Sequence, residues 1–236
     1  MRRLFALCIM QVMAVMTVAS ATPREELQVG LFSRLEPSGI PPGWELLRFP
    51  SVGEETDYGL FEDEGRVVLK ADSRRSASAL LKKVSVDPSR HPYLDWSWKT
   101  RDDCYSGSWR RPDTDDFPLR LFVIFERSGG LLSFFRRLGP GFSGDAILYV
   151  ADSTSHPDAE PSSHLTGRIK VLPLAGPERN GRAWGRHVRN VRADYAALFG
   201  GEPTNVAAVA LMTDTDNSRT ECVAFFGDIV FSEDGA

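Results

Sequence analysis

The sequence lacks the common catalytic signatures. It has no G-x-S-x-G elbow, no P-loop, no H-E-x-x-H pair and no dinucleotide-binding fingerprint. Its four histidines, His91, His156, His164 and His187, show no zinc spacing. His156 and His164 sit in a polar stretch and are expected to be exposed. Cys104 has no base near it, and the E-x-D-x-E arrangement of some sandwich glycosidases is absent. These gaps leave no reaction to read directly from motifs.

Basic charge is also in short supply. Lys and Arg number 28 against 32 Asp and Glu, a formal net charge of −4. A basic stripe is the usual footprint of nucleic-acid binding, so nucleic acid is not an expected partner. Helical periodicity is scarce, and no internal repeat or linker stands out. One domain over residues 22–236 is therefore expected, long enough to bury a sizeable core.

Only one long apolar run occurs, Leu4 to Val18, and it follows Arg2 and Arg3. Ala19-Ser20-Ala21 supplies a small-x-small cleavage site, the pattern of a secretory signal peptide over residues 1–21. The run is shorter than the roughly 18–20 residues that cross a bilayer. Cys8 lies too early to be a lipid-attachment cysteine. Cleavage would leave two cysteines, Cys104 and Cys222. In an oxidising compartment they are candidates for a disulfide worth about 4–5 kcal/mol in the chain-entropy account. A loop thiol and a buried strand thiol is the alternative.

What is present is a series of short apolar segments separated by turn residues. Strands are expected over Arg66–Ala71, Ala79–Val86, Tyr93–Thr100, Leu119–Glu126, Ala146–Ala151, Arg168–Leu172, Val206–Thr213 and Cys222–Phe231. Thr22 to Gln28 reads as a loose lead-in. Arg192 to Phe199, ending at Gly200-Gly201, reads as a short helix. In Leu119–Glu126, one face carries Leu119, Leu121, Val123 and Phe125, and the other carries Phe122 and Ile124. Val206–Met212 is apolar on both faces. Such strands belong in the centre of a sheet covered on two sides. The expected fold class is all-β, a single-domain sandwich of jelly-roll type with one or two short helices.

Several pieces occur together: Trp96-Ser97-Trp98-Lys99, Asp115-Asp116 and Ala146-Ile147-Leu148-Tyr149-Val150. Downstream come Trp184, Arg189-Asn190-Val191, Asp194-Tyr195, Phe199-Gly200, Thr213-Asp214-Thr215-Asp216-Asn217-Ser218 and Phe226-Gly227-Asp228-Ile229 with Phe231. This combination resembles the bacterial family called domain of unknown function 3047, from about Leu31 to Phe231. The resemblance implies a bacterial exported protein, hence a periplasmic location, and a sandwich similar to carbohydrate-binding modules. It implies no activity. Ser218-Arg219 departs from the family pattern, where a threonine often follows the asparagine.

Four constellations could carry chemistry. Asp115 and Asp116, with Asp113, precede one central strand, and Asp214, Asp216 and Asn217 follow another. If those strands are neighbours, the acids meet at one end of the sandwich as a candidate calcium site, since calcium wants six to eight oxygen ligands. Otherwise these side chains cap turns or pair with Arg110, Arg111 or Arg219. Trp96 and Trp98 share a strand face and are expected in the core. Trp109 and Trp184 are the better candidates for exposed, sugar-stacking rings. Arg179, Arg182, Arg186, His187, Arg189 and Arg192 form a basic stretch. It would receive an acidic ligand, with Arg186 and Arg189 as binding candidates, or pair with local acids; Arg189 and Asp194 are such a pair. Leu131 to Leu138 reads as a lid, with an amphipathic contact to a membrane surface as the alternative.

Three functions follow as expectations. The first is a non-catalytic, glycan-binding sandwich stabilised by calcium. The second is a carbohydrate-active enzyme using Asp116 and Asp214. The third is an envelope scaffold.

Overall fold

The computed structural model describes residues 25–101, 104, 107–126, 144–152, 161–164, 166–174 and 183–235. The segment expected to be a signal peptide, the Leu131–Leu138 stretch, His156, Arg179 and Arg182 lie outside them. Twelve strands and one α-helix make up the regular structure of the described residues, with two single-turn 3-10 segments.

The strands are β1 (Glu26–Gly30), β2 (Trp44–Arg48), β3 (Asp57–Asp63), β4 (Arg66–Arg74), β5 (Ser78–Val86), β6 (Tyr93–Thr100), β7 (Arg120–Phe125), β8 (Ala146–Ala151), β9 (Ile169–Leu174), β10 (Gly185–Asn190), β11 (Val206–Met212) and β12 (Glu221–Ser232). Helix α1 spans Val191–Phe199. Its start is fixed by Asn190, whose side-chain oxygen accepts the Ala193 N–H at 2.9 Å. Its end is Gly200, at φ +75°, a left-handed position that glycine adopts without a Cβ clash. No helix among the described residues is long and apolar enough to cross a membrane.

Two six-stranded sheets form a β-sandwich. The first has the order β10-β6-β12-β4-β3, with β1 also on β12; the second runs β2-β5-β11-β7-β8-β9. All pairs are antiparallel except β8 with β9. The long β12 serves two neighbours on one side. Its first half pairs with β4, and its second half, past an irregularity between Phe226 and Ile229, pairs with β1. The stretch read as a loose lead-in is thus partly a strand, because the far half of β12 needs a partner there for its backbone groups.

The apolar patterning sets the layers. Leu119, Leu121, Val123 and Phe125 face the first sheet and meet Leu94, Trp96, Trp98, Phe226, Ile229 and Phe231 in the core between the sheets. Each fully buried leucine or phenylalanine there contributes roughly 1.5–3 kcal/mol. Phe122 and Ile124 face the other way. With Leu148, Val150, Ala208, Ala210 and Ile169 they form a second apolar layer on the far side of the second sheet. Trp96 and Trp98 are core residues, as their strand position predicts. They stand edge-on at 5.5 Å, with the His187 ring 5.3 Å from Trp96 and 5.0 Å from Trp98.

Candidate functional site

Strands β7 and β11 are neighbours, with Arg120 opposite Met212. That pairing brings the segment before β7 against the segment after β11, so the two groups of acids meet at one end of the sandwich. Arg120 organises them. Its Nε donates to Asp214 Oδ1 at 2.9 Å, and its terminal nitrogen reaches Asp115 Oδ1 at 3.0 Å and Asp214 Oδ2 at 2.8 Å. Asp214 Oδ1 also accepts the Phe117 N–H at 2.9 Å. Asp116, fully buried, accepts the N–H groups of Asn217 at 3.3 Å and Ser218 at 2.5 Å.

The sequence-predicted ligands divide. Oxygens of Asp116, Asp214 and Asp216 lie within 4.8 Å of one another. Asp115 instead turns to Arg120 and to His164, whose Nδ1 is 3.3 Å away. The Asn217 side chain donates to the Pro112 carbonyl at 2.7 Å. Asp115 closes the 3-10 turn Pro112–Thr114 at φ −83° and ψ 58°, and there its carboxylate meets Arg120 and His164, while Asp116 faces the turn after β11. Asp113 pairs with Arg111 in solvent, at 2.6 Å. Of the expected cationic partners Arg111 thus pairs with Asp113, while Asp115 and Asp214 take Arg120 instead.

Negative charge outnumbers positive in this cluster. Burial pushes the Asp214 carboxyl up to about 7, against the pull of Arg120 and the Phe117 N–H, and Asp115 and Asp116 add to the rise. Asp216 is raised as well, first by burial and then by Asp116. A buried hydroxyl network braces the adjoining turn. Thr56 Oγ1 donates to the Thr213 carbonyl at 2.8 Å, and the Ser73 and Thr215 hydroxyls are 2.9 Å apart.

The aromatic candidates also divide. Trp109 is buried, at 5% exposure, rather than exposed. It packs 6.1 Å from Phe117 and belongs to the apolar layer outside the second sheet. His164 is likewise half-buried, with its Nδ1 3.2 Å from the Trp109 carbonyl oxygen. Trp184 remains half-exposed on the outer face of the first sheet.

There Trp184 borders a depression of about 330 Å³ lined by Arg66, Asp95, Ser97, Arg186, Asp228 and Val230, with Trp96 beneath. Four strands supply it. Arg186 lies opposite Ser97 on β10 and β6, and both point outward by alternation from Trp96 and Trp98. Arg186 grips Asp95 with two nitrogens, at 3.1 and 2.6 Å. Arg66 lies over the Trp184 ring at 4.7 Å, and Lys99 at 5.1 Å. Lys99 is held by Asp63 at 2.7 Å, whereas Arg66 has no ion-pair partner among the described residues. Asp228 accepts from Ser33, backbone N–H at 2.9 Å and hydroxyl at 2.5 Å.

Gly227 makes room for this arrangement. A Cβ there would stand 2.2 Å from Ser97 Oγ and 3.5 Å from the Arg66 guanidinium. Glycine sits at the irregularity of β12 because two polar side chains cross over its backbone. The rest of the basic stretch turns elsewhere. Arg189 pairs with Asp194, and Arg192 with Glu202 at 2.6 Å. Asp194 in turn accepts the Tyr149 hydroxyl at 2.7 Å. Arg189 is thus bound up at the sheet edge and lies outside the depression.

Cys104 and Cys222 form a disulfide across 118 residues of chain. It fastens the segment leading to Asp115 and Asp116 onto the start of β12.

The family model described as Protein of unknown function (DUF3047) matches residues 42–230. The chain belongs to this family. No curated protein matches it. Among solved structures, the family 11 carbohydrate-binding module of cellulase Lic26A-Cel5E of Clostridium thermocellum is similar at 9% identity, over 91% of this chain and 97% of that one, with a TM-score of 0.44. The family 30 module of Cel9D-Cel44B from the same organism aligns at 11% identity over 90% and 99%, with a TM-score of 0.41. The xyloglucanase domain of NopAA of Sinorhizobium fredii aligns at 11% identity over 91% and 100%, with a TM-score of 0.41. Likeness at this level concerns the fold alone, so the function is argued from this chain's own residues.

Proposed function

We propose that this DUF3047 protein is an exported, non-catalytic glycan-binding sandwich whose ligand seats on the outer face of the first sheet. One observation carries the reading. An indole, two guanidiniums, two carboxylates and a hydroxyl converge on one open depression of about 330 Å³. Ligand pockets combine apolar surface with a few convergent polar groups in this way. A sugar ring has an apolar C–H side and a rim of hydroxyls, and it needs both kinds of partner. Arg66 is the guanidinium of the set with no ion-pair partner among the described residues, so it is the group offered to a glycan carboxylate.

Calcium and export belong to the same proposal. Asp116, Asp214 and Asp216 offer three oxygens close enough to share one hard cation, and the cluster carries more negative charge than Arg120 neutralises. The disulfide supports export, because such bonds persist in oxidising compartments. An enzymatic role for Asp116 and Asp214 is less favoured. Both are buried and hold backbone N–H groups, so neither faces an open cleft.

The test is a calcium-replete binding screen of the mature protein against polygalacturonate, alginate, xylan and cellulose. Binding of an acidic polymer that is lost in Arg66→Ala and Trp184→Ala, both still folded, is the expected result. Binding of none, or binding indifferent to both substitutions, overturns the site. A melt of chelator-stripped protein titrated with calcium, with magnesium as control, tests the ion. No calcium-specific rise in Tm ends that part.

A further inference from the structure

A second group of ligand-type side chains lies away from both places described so far. Strands β1 and β12 run antiparallel, with Glu26 opposite Ser232. One step further along the same register, Glu25 faces Glu233. Like charges directly opposite each other destabilise a strand pair. The cation beside them, Arg90, reaches the far oxygen of Glu25, Oε2, at 3.3 Å.

His91 lies against this pair. It precedes β6 and is anchored by its backbone N–H, which donates to the Asp87 carbonyl at 2.9 Å. The residue is 3% exposed, and its buried Nε2 has no hydrogen-bond partner. Glu25 Oε1 is 3.9 Å away, beyond hydrogen-bonding distance. A buried ring nitrogen left unpaired is costly, and such atoms are uncommon in native proteins. A ring nitrogen of His91 and one oxygen from each glutamate lie within 4.8 Å of one another.

We propose that Glu25, His91 and Glu233 form a binding site for a divalent transition metal of the zinc type. One imidazole nitrogen with two carboxylate oxygens suits that class, whereas calcium and magnesium select oxygen alone. Zinc holds nitrogen and oxygen at about 2.0–2.2 Å, so the ligands must draw inward. Both glutamates are exposed, and Glu25 can turn while its far oxygen stays near Arg90, whereas His91 is already fixed. A dication offsets the Glu25–Glu233 repulsion and gives the orphaned nitrogen its partner. Three protein ligands leave a fourth position open to water. The bound ion clasps β1, the turn before β6 and the end of β12 into one unit.

The ligands stand at positions 25, 91 and 233, so no spacing motif announces them. The experiment is isothermal titration of chelator-stripped mature protein with zinc chloride, run beside thermal melts. One zinc per chain and a rise in Tm are expected. Glu25→Gln and Glu233→Gln, both at exposed positions, are each expected to weaken binding by roughly tenfold or more. Glu202→Gln, an exposed carboxylate paired with Arg192, leaves zinc binding unchanged. His91→Asn removes binding, and the two glutamine variants carry the test if that protein misfolds. Absence of zinc binding overturns the proposal, as does binding that both glutamine variants retain at full strength.

Discussion

The two sheets treat their outer faces in opposite ways. In the second, β7, β8 and β11 are buried at every position. Phe122, Ile124, Leu148 and Val150 pack into a second apolar layer there, closed in part by Trp109 and Phe117. In the first, β6 alternates: Leu94, Trp96 and Trp98 point inward, while Asp95 and Ser97 point out. Only such an alternating sheet leaves polar side chains free to meet a ligand. The sheet that is apolar twice over contributes through its end, where Arg120 and Asp214 emerge beside the loops. One sheet thus supplies a surface, and the other supplies rigidity and a buried charge cluster.

Polar substitution separates the two faces most sharply. Leu148→Asn, at 2% exposure, is expected to cost about 3–5 kcal/mol in urea unfolding, from lost packing and an unsatisfied amide. Phe61→Asn, at 46% exposure on the first sheet, is expected to cost under about 1 kcal/mol. Similar losses at both would contradict the distinction.

Charge removal gives the next largest contrast. Asp214→Asn leaves buried Arg120 with Asp115 alone and is expected to cost about 2–4 kcal/mol. Asp95→Asn breaks the more exposed pair with Arg186 and is expected to cost no more than about 1 kcal/mol. Denaturation of the two single variants under one buffer measures this.

Gly227→Ala probes the first sheet from within. The added carbon would collide with Ser97 Oγ, so Ser97 and Arg66 must move. A loss of about 1–3 kcal/mol is expected, together with weakened ligand binding. Binding at wild-type strength would mean that the depression does not hold the ligand.

The smallest effect concerns His187. Its pKa is lowered, chiefly by burial and then by Arg189. The unfolded chain therefore takes up the proton first as pH falls. The stability contributed is present above the unfolded value of about 6.5 and drains away as pH drops below it. Replacement by leucine should flatten the stability profile over that window, and an unchanged slope would place its cause elsewhere.

How much of this was legible depended on patterning. β4 to β9, β11 and β12 announce themselves through unbroken or alternating apolar residues, and α1 through the Gly200-Gly201 stop. β10 escaped notice because Gly185-Arg186-His187-Val188-Arg189-Asn190 reads as a charged stretch. Its inward residues are a glycine, a histidine and an arginine, which packing against Trp96 and Trp98 makes acceptable. The acid cluster was half legible: two apolar central strands implied neighbours, but the 3-10 turn before Asp115, which turns that carboxylate to Arg120 and leaves Asp116 near Asp214, carries no apolar pattern. Arg120, inside an apolar strand, was the signal for that partner. Of the outer depression, the sequence singles out only Trp184 and Arg186. Arg66, Ser97, Arg186 and Asp228 come from four strands, and only the strand order brings them together.

The most direct test of the outer-face site is an amide and indole NMR titration of the mature protein with an acidic oligosaccharide. Perturbations centred on Trp184, Ser97, Gly227 and Arg66 are predicted, with the second sheet silent. Shifts clustered on another surface, or none with the binding polymer's own fragments, would contradict the account.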